Sequence, residues 1–464
     1  MSYNYLYNPD GGDIVSDSDP IDKVITGCIE FSGESALNLQ VFAVNDTSFK
    51  LGVPAPIGKP VVSNLPTEQD DEGFANDQTI FYTYTYVTEV GEEGQPSPLS
   101  DEVTIYDPVN DTVDITFPNI IPEGYNITHI RLYRSATTAI DANYFHVADI
   151  PIAAKDTPYT DSASDEELGG TLVSSTYDMP PTDMKGIVSI PNGILAGFSG
   201  NSVCFSEAFQ PHAWPFGYRQ TTEHDIVGLA VFGNSLFVAT EGKPYVFTGT
   251  SPDSMTGQKL EINQACVSKA SIVDMGEYVI YASSEGLVSV SSNSVQILTK
   301  DIARKDQWKK YQPETIRAYQ VEGKYIAFYG GTAGFIFEPS DGSFVEVDFY
   351  ADAGFNVLKD DMLYLVANDS VHVWDAGTSG QTFIWKKRFE LNNRVSPSVV
   401  RMETEGPGDI TFRLYSENGL VCEITNPMNE AFRLPRVRSQ YFEIELTGTK
   451  VVRRLVLASA FSEV

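Results

Sequence analysis

Residues 232–249 read FGNSLFVATEGKPYVFTG: a turn, an apolar strand, a second turn and another alternating strand. The same plan recurs in PNGILAGFSGNSVCFSE (191–207), MGEYVIYASSEGLVSVSS (275–292), EGKYIAFYGGTAGFIFEP (322–339) and KDDMLYLVANDSVHVWDA (359–376). The first turns fall at Asn192, Asn234, Gly276, Gly323 and Asp361, in steps of 42, 42, 47 and 38 residues. That period is the length of a four-stranded propeller blade. A lone blade buries neither face, so blades stack radially around a channel, commonly about six or seven of them. Five units are visible, and strands from residues 20–50, from the C-terminal region or from both are candidates to complete the ring. The WD dipeptide in VHVWDAG (371–377) has no counterpart in the other units.

Upstream lies FYTYTYVTEVGEEGQPSPLSDEVTI, residues 81–105. Tyr82, Tyr84 and Tyr86 fall on one face of a strand, and Thr83, Thr85 and Val87 on the other. Such a strand fits a half-buried pleated surface. GEEGQPSP is expected to turn the chain and present an acidic, projecting bend before SDEVTIY. With DTVDITFP, ITHIRLYRS and NYFHVADIP it predicts a small β-sandwich. VPAPIGKP (53–60) holds three prolines and reads as a stiff linker at a domain boundary. Helical periodicity is nearly absent; TKDIARKDQWKKYQPE (299–314) is the one fair helix candidate. The resulting organisation is all-β. An N-terminal acidic segment with strands (1–57) precedes a β-sandwich (58–182), β-propeller blades (183–395) and a small C-terminal β-domain or last blade (396–464). If the first strands belong to the propeller, the sandwich is inserted in it rather than appended to it.

The chain has 464 residues and a net charge of −32, spread unevenly. Residues 1–180 carry 6 Lys and Arg against 30 Asp and Glu, while 300–464 carry 20 against 23. The acidic third disfavours sequence-specific nucleic-acid binding, which rests on attraction to phosphate, and favours basic or cation-mediated partners. No apolar run is long enough to span a membrane, and the first residues lack the basic and apolar regions of a signal peptide, so synthesis in a cytoplasm is expected. Cys28, Cys204, Cys266 and Cys422 stand singly, without metal-site spacing, and read as small buried hydrophobes.

No P-loop, GxSxG, HExxH or dinucleotide fingerprint occurs. His129, His146, His212, His224 and His372 have no metal-like spacing, and in TTEHDIVG the adjacent Glu223, His224 and Asp225 point to alternating faces. Asp10, Asp13, Asp17 and Asp19 lack the order of a calcium loop and read as a solvated tail. The SxDxGxxW box of sialidase propellers is absent. The expectation is therefore a non-enzyme without cofactor or metal. Basic residues cluster at Arg304, Lys305, Lys309 and Lys310; at Lys386, Lys387 and Arg388; at Arg433, Arg436 and Arg438; and at Arg453 and Arg454. They are candidates for a subunit interface with the acidic third of a neighbour, or are charges that guard strand edges.

Two resemblances follow. YTYTYVTEVGEEGQPSP and ITHIRLYRS resemble the last hairpin and third strand of a fibronectin type III or related immunoglobulin-like module, although here the hairpin comes first. LGVPAP with that module, FSEAFQPHAWP (205–215) and the ending EIELTGTKVVRRLVLASAFSEV resemble the propeller-containing nozzle, or distal tail-tube, proteins of short-tailed, podovirus-type bacteriophages. That resemblance implies a homohexameric ring in the virion tail, assembled in the host cytoplasm. The ring would sit below a portal-side adaptor and above distal tail proteins, with phage DNA passing through. Two other readings stay open: an adhesin binding host glycan through Trp214, Phe216 and Tyr218, and a glycan-cleaving propeller.

Overall fold

The computed structural model describes residues 49–463 apart from 67–77, 108–109, 119, 136–142, 293, 358, 360–361, 369, 378–379 and 428. Most of the N-terminal acidic segment, with Cys28 and the four aspartates at 10–19, lies outside the described residues. The fold is all-β and of propeller type, and the chain divides into two compact units, Met1–His372 and Val373–Val464.

Within the first unit, the sandwich sets one sheet of Tyr82–Thr88, Ile127–Ser135 and Tyr144–Pro151 against another of Val61–Ser63, Val113–Thr116 and Tyr159–Asp161. The tyrosines of the first strand enter the core beside Ile115, Ile130 and Leu132, as alternation requires. The opposite face, expected to be half exposed, is buried too: every residue from Tyr82 to Thr88 is buried. The reason is that GEEGQPSP does not project. It runs back along the strand, with the amides of Gly94, Ser97 and Ser100 donating to the carbonyls of Tyr86, Tyr84 and Tyr82. Each third residue donates, so Pro96 and Pro98, which have no N–H to give, fall between the donors. VPAPIGKP is no free linker either. Val53 is buried in the sandwich core, and its carbonyl comes so near Gly94 that a Cβ there would lie 2.6 Å away.

Four four-stranded antiparallel sheets follow, then a three-stranded one of Ala353–Val357, Met362–Ala367 and Ser370–Val373. The first four units read from the sequence are each the middle hairpin of one sheet, and the fifth supplies the middle strand and one edge strand of the three-stranded sheet. The packing logic is visible in Ser235–Thr240. Leu236 and Val238 join a core with Val203 and Phe205 of the preceding sheet, whereas Phe237 and Ala239 join Val279 and Tyr281 of the next. Each buried apolar side chain contributes about 1.5–3 kcal/mol, so every middle strand stabilises two interfaces at once.

The helix candidate is a single α-turn, Lys305–Trp308, continued by 3-10 turns at Lys309–Tyr311 and Pro313–Thr315. It wedges Trp308 between the third and fourth sheets, where the side chain is fully buried and its Nε1–H donates to the Ser283 carbonyl at 2.8 Å.

The second unit packs a sheet ordered Phe383–Val395, Ser439–Gly448, Ile410–Ser416 and Gly419–Thr425 against Phe432–Arg433, Val399–Glu405 and Val451–Ala458. It holds its own core of Val400, Met402, Phe412, Leu414, Phe442 and Ile444. Phe383–Val395, placed with the blades on sequence grounds, is an edge strand of this unit.

Trp308→Ala is expected to cost about 3–5 kcal/mol and Trp308→Phe distinctly less. Urea denaturation followed by circular dichroism measures both, and equal losses would mean that the indole does not wedge the two sheets.

Candidate functional site

The sandwich and the first blade meet through two stretches that are far apart in sequence, GEEGQPSP and PHAWP. Glu93 turns inward at the bend and is buried. Its carboxylate accepts hydrogen bonds from the hydroxyls of Thr85 (2.9 Å), Tyr133 (2.7 Å) and Ser174 (3.2 Å) and from Arg131 Nη1 (3.1 Å). Arg131 also bonds Asp149 through Nε at 2.7 Å, which raises its pKa. Burial, and then the Glu93 charge, push the Tyr133 phenol up, so it stays a donor.

From the blade side, the ring of His212 reaches across. Its Nε2–H donates to the Glu93 carbonyl at 3.1 Å, and Tyr177 stands edge-on to the ring. His212 is buried, and its Nδ1 has no hydrogen-bond partner, although Glu92 Oε1 lies 3.9 Å away. Burial holds the imidazole below its ordinary pKa and lifts the Glu92 carboxyl above its own. Both shifts favour the uncharged forms, and so weaken this approach as an ion pair. Asp178 completes the seam. Its carbonyl accepts from the Trp214 amide, and its carboxylate accepts from Gln95 Nε2 (2.8 Å) and the Phe216 amide (2.7 Å). Neither Glu93 nor His212 was singled out from the sequence for this role. The signal available was an acid beside an aromatic strand and a histidine fixed between prolines at Pro211 and Pro215.

The three aromatic residues offered as a glycan platform do not form one. Trp214 is fully buried and donates its Nε1–H to the Pro211 carbonyl. Tyr218 is half-buried with its hydroxyl on Glu207, and only Phe216 stands exposed, under the Arg219 guanidinium. The aromatic pattern served packing at the seam.

The basic candidates are divided between the two units. Arg304, Lys305, Lys309 and Lys310 surround the exposed side of the Trp308 turn, and Lys305 pairs with Glu285 at 2.7 Å. In the second unit, Lys386 and Arg388 on the edge strand pair with Glu445 and Glu443 of their own sheet, while Lys387 is exposed with no ion pair among the described residues. Arg433 ends a short strand of the other sheet, with Arg436 and Arg438 following it, and Arg438 donates to the Arg394 carbonyl; Arg453, paired with Glu405, and Arg454 lie in the same sheet as Arg433.

Among the described residues no group of three or more His, Cys, Asp or Glu is placed to hold a metal ion. Glu223 pairs with Lys259, while the His224 ring packs over Gly242. Cys204 and Cys266 are buried, and burial pushes the Cys266 thiol up to about 12, far from a nucleophile's range. No helix among the described residues is long and apolar enough to cross a membrane.

Neither protein-family models nor curated protein sequences give a match. Among solved structures, the chain is similar to BamB from Moraxella catarrhalis (10% identity, 62% of this chain and 80% of that one, TM-score 0.28). It is also similar to BBS1N, solved in complex with ARL6DN (9%, 57% and 84%, TM-score 0.30). A third is PorZ, a surface component of the type-IX secretion system of Porphyromonas gingivalis (10%, 69% and 49%, TM-score 0.30). Likeness at that level carries nothing about activity or partners.

Glu93→Ala removes the acceptor for four donors and is expected to cost about 3–5 kcal/mol; limited proteolysis of the sandwich reads the loss against wild type. A second expectation concerns pH. With the folded pKa of His212 depressed, the folded chain binds fewer protons than the unfolded one. Its contribution is complete above the ordinary imidazole value of about 6.5 and is lost as pH falls from there through the folded pKa. Glu92 has the opposite sign, so the effect is read as a difference. The stability–pH curve of His212→Gln should be flatter than wild type below about pH 6.5; superimposable slopes would exclude it.

Proposed function

We propose that this chain is a structural part of a short-tailed bacteriophage tail, a ring component of the conduit through which the genome leaves. The observation that carries the reading is the seam itself. Two of the stretches on which the phage resemblance rests, 82–98 and 205–215, meet through the His212 bond to the Glu93 carbonyl and through Asp178, which accepts from Gln95 and from the Trp214 amide. The sandwich is thereby a fixed part of the blade stack, which suits a piece that must hold neighbours at set positions. A swinging recognition arm would lack such a seam.

Charge supports the same reading. Residues 1–372 hold 19 Lys and Arg against 52 Asp and Glu, and residues 373–464 hold 12 against 11. An acidic body beside a DNA path repels phosphate over a reach of about 8 Å at physiological salt, which lets DNA slide without being gripped. Homo-oligomers built by head-to-tail contact close into rings when the rotation permits. The adhesin reading loses its platform with the burial of Trp214.

Antibodies against the chain are expected to decorate the tails of purified cognate phage particles in negative stain. A nonsense mutant, grown without suppression, is expected to give filled heads with incomplete tails. Particles that lack the chain and still eject their DNA would refute the proposal.

A further inference from the structure

The edge strand Phe383–Val395 is built unlike any other strand in the described residues. It runs for 13 residues, about 43 Å at strand rise, and from Ile384 to Arg394 every residue is exposed. Its register shows why this is unusual. Trp385 and Phe389 lie opposite Leu446 and Phe442, both buried, so they stand on the core-facing side of the sheet. Yet Trp385 is 42% exposed, Phe389 36% and Leu391 40%, and Ile384 on the other face is 66% exposed. The strand carries the inner face of the sheet past the cover of the opposite sheet and leaves one backbone edge unpaired within its sheet. Proteins ordinarily keep such edges short, twisted or covered.

We infer that this edge is the docking strand for a second copy of this chain, and that it takes the acidic outer edge of the fourth blade, Ser343–Val347. This deepens the assembly reading and rests on it. The strand bears Lys386, Lys387, Arg388 and Arg394 against a single acid, Glu390; Lys386, Arg388 and Arg394 reach Glu445, Glu443 and Glu417 of their own unit, while Lys387 has no ion pair among the described residues. Pairing with its own counterpart would bring two net-positive strands together and, centred on Arg388, would set that residue opposite itself, which is unfavourable, so a two-fold contact is the poorer match. The outer edge of the fourth blade is the complement. It is also a terminal strand of its sheet, with Val345 53% and the following Phe349 41% exposed, and Glu346 and Asp348 exposed between them. Tyr311 holds Glu346 in place with a 2.7 Å hydrogen bond. The other outer strands of the described blades carry no acid: Gln220–Thr221, Thr256–Lys259, Val295–Ile297 and Ser370–Val373. Strand addition supplies backbone hydrogen bonds, while the charges choose partner and register. Because the two edges differ, the contact is heterologous and propagates from copy to copy.

The test is a charge exchange on the full chain, read by native mass spectrometry and sedimentation velocity, with melting temperatures confirming that each variant folds. Wild type is expected to form higher-mass species. The variant Lys386→Glu, Lys387→Glu, Arg388→Glu and the variant Glu346→Lys, Asp348→Lys are each expected to self-associate at least about tenfold more weakly, a loss of about 1.4 kcal/mol. Mixing the two variants should restore assembly, in complexes that contain both kinds of chain. Lys387→Glu alone, at an exposed position, gives the same direction should the triple variant fold poorly. The inference is overturned by a wild type that stays monomeric at all concentrations. It is equally overturned by reversals that leave or increase association, since charges serving only to guard the edge would behave so. Mass gained only on adding a single-stranded oligonucleotide, and lost in the triple variant, would identify a nucleic-acid surface and overturn it as well. If assembly persists unaltered while the chain is found in phage tails, the docking strand is wrong and the tail reading stands; a chain that assembles as expected yet is absent from particles separates them the other way.

Discussion

A carboxylate taken out of water must be met by donors or it unfolds what surrounds it. Glu93 is met by four, from Thr85, Arg131, Tyr133 and Ser174, drawn from three separated parts of the chain. That requirement fixes the course of the bend, because the acid can reach all four only if GEEGQPSP folds back on the aromatic strand. It also buries the threonine face of that strand and brings the Glu93 carbonyl to where His212 of the first blade can find it. The attachment of module to blade is thus a consequence of satisfying one charge.

How much of this was legible depended on which residues alternate. The middle hairpins of the blades could be read because their strands pack on both faces, giving short continuous apolar runs such as SLFVAT, with all six residues buried. Outer strands escaped: Thr256–Lys259 reads TGQK and carries no pattern that separates it from a loop. The sandwich was readable from the tyrosines of YTYTY, but its outer face was not. Two prolines argue against a paired strand only when every second amide must donate, and here every third one does. In the second unit, the Phe383–Val395 strand looked like one more blade element because its partner is the distant Ser439–Gly448, 44 to 65 residues downstream of the residues it pairs.

The site was harder to read than the fold. Acid residues are so frequent in the first 180 positions, 30 of them, that nothing in composition marks Glu93 as the one that turns inward. Trp214 misled for the opposite reason: an aromatic among prolines looks like a displayed ring, and only its burial against the seam shows that it packs. Basic clusters were visible as sequence runs, but which of them are already neutralised by their own sheet depends on cross-strand register. Lys386 faces Glu445 directly in that register, while Lys387 faces Ile444.

The strand order of the sandwich has a consequence for how the chain is made. Val61 pairs with Thr116, Tyr82 with Arg134, and Val113 with Asp161. One sheet runs from Val61 to Asp161 and the other from Tyr82 to Pro151, so each closes only when its last strand has left the ribosome, and the tyrosine-rich strand travels without a partner until Ile127–Ser135 follows it. Each blade, by contrast, pairs within some forty residues, as Ile226 does with Thr240 and Tyr245 with Lys259. Non-local pairing is slow, local pairing fast. During synthesis the module that emerges ahead of the blades therefore lacks the head start its position implies, and the earliest blades can be complete soon after it, ready to receive it across the His212 contact.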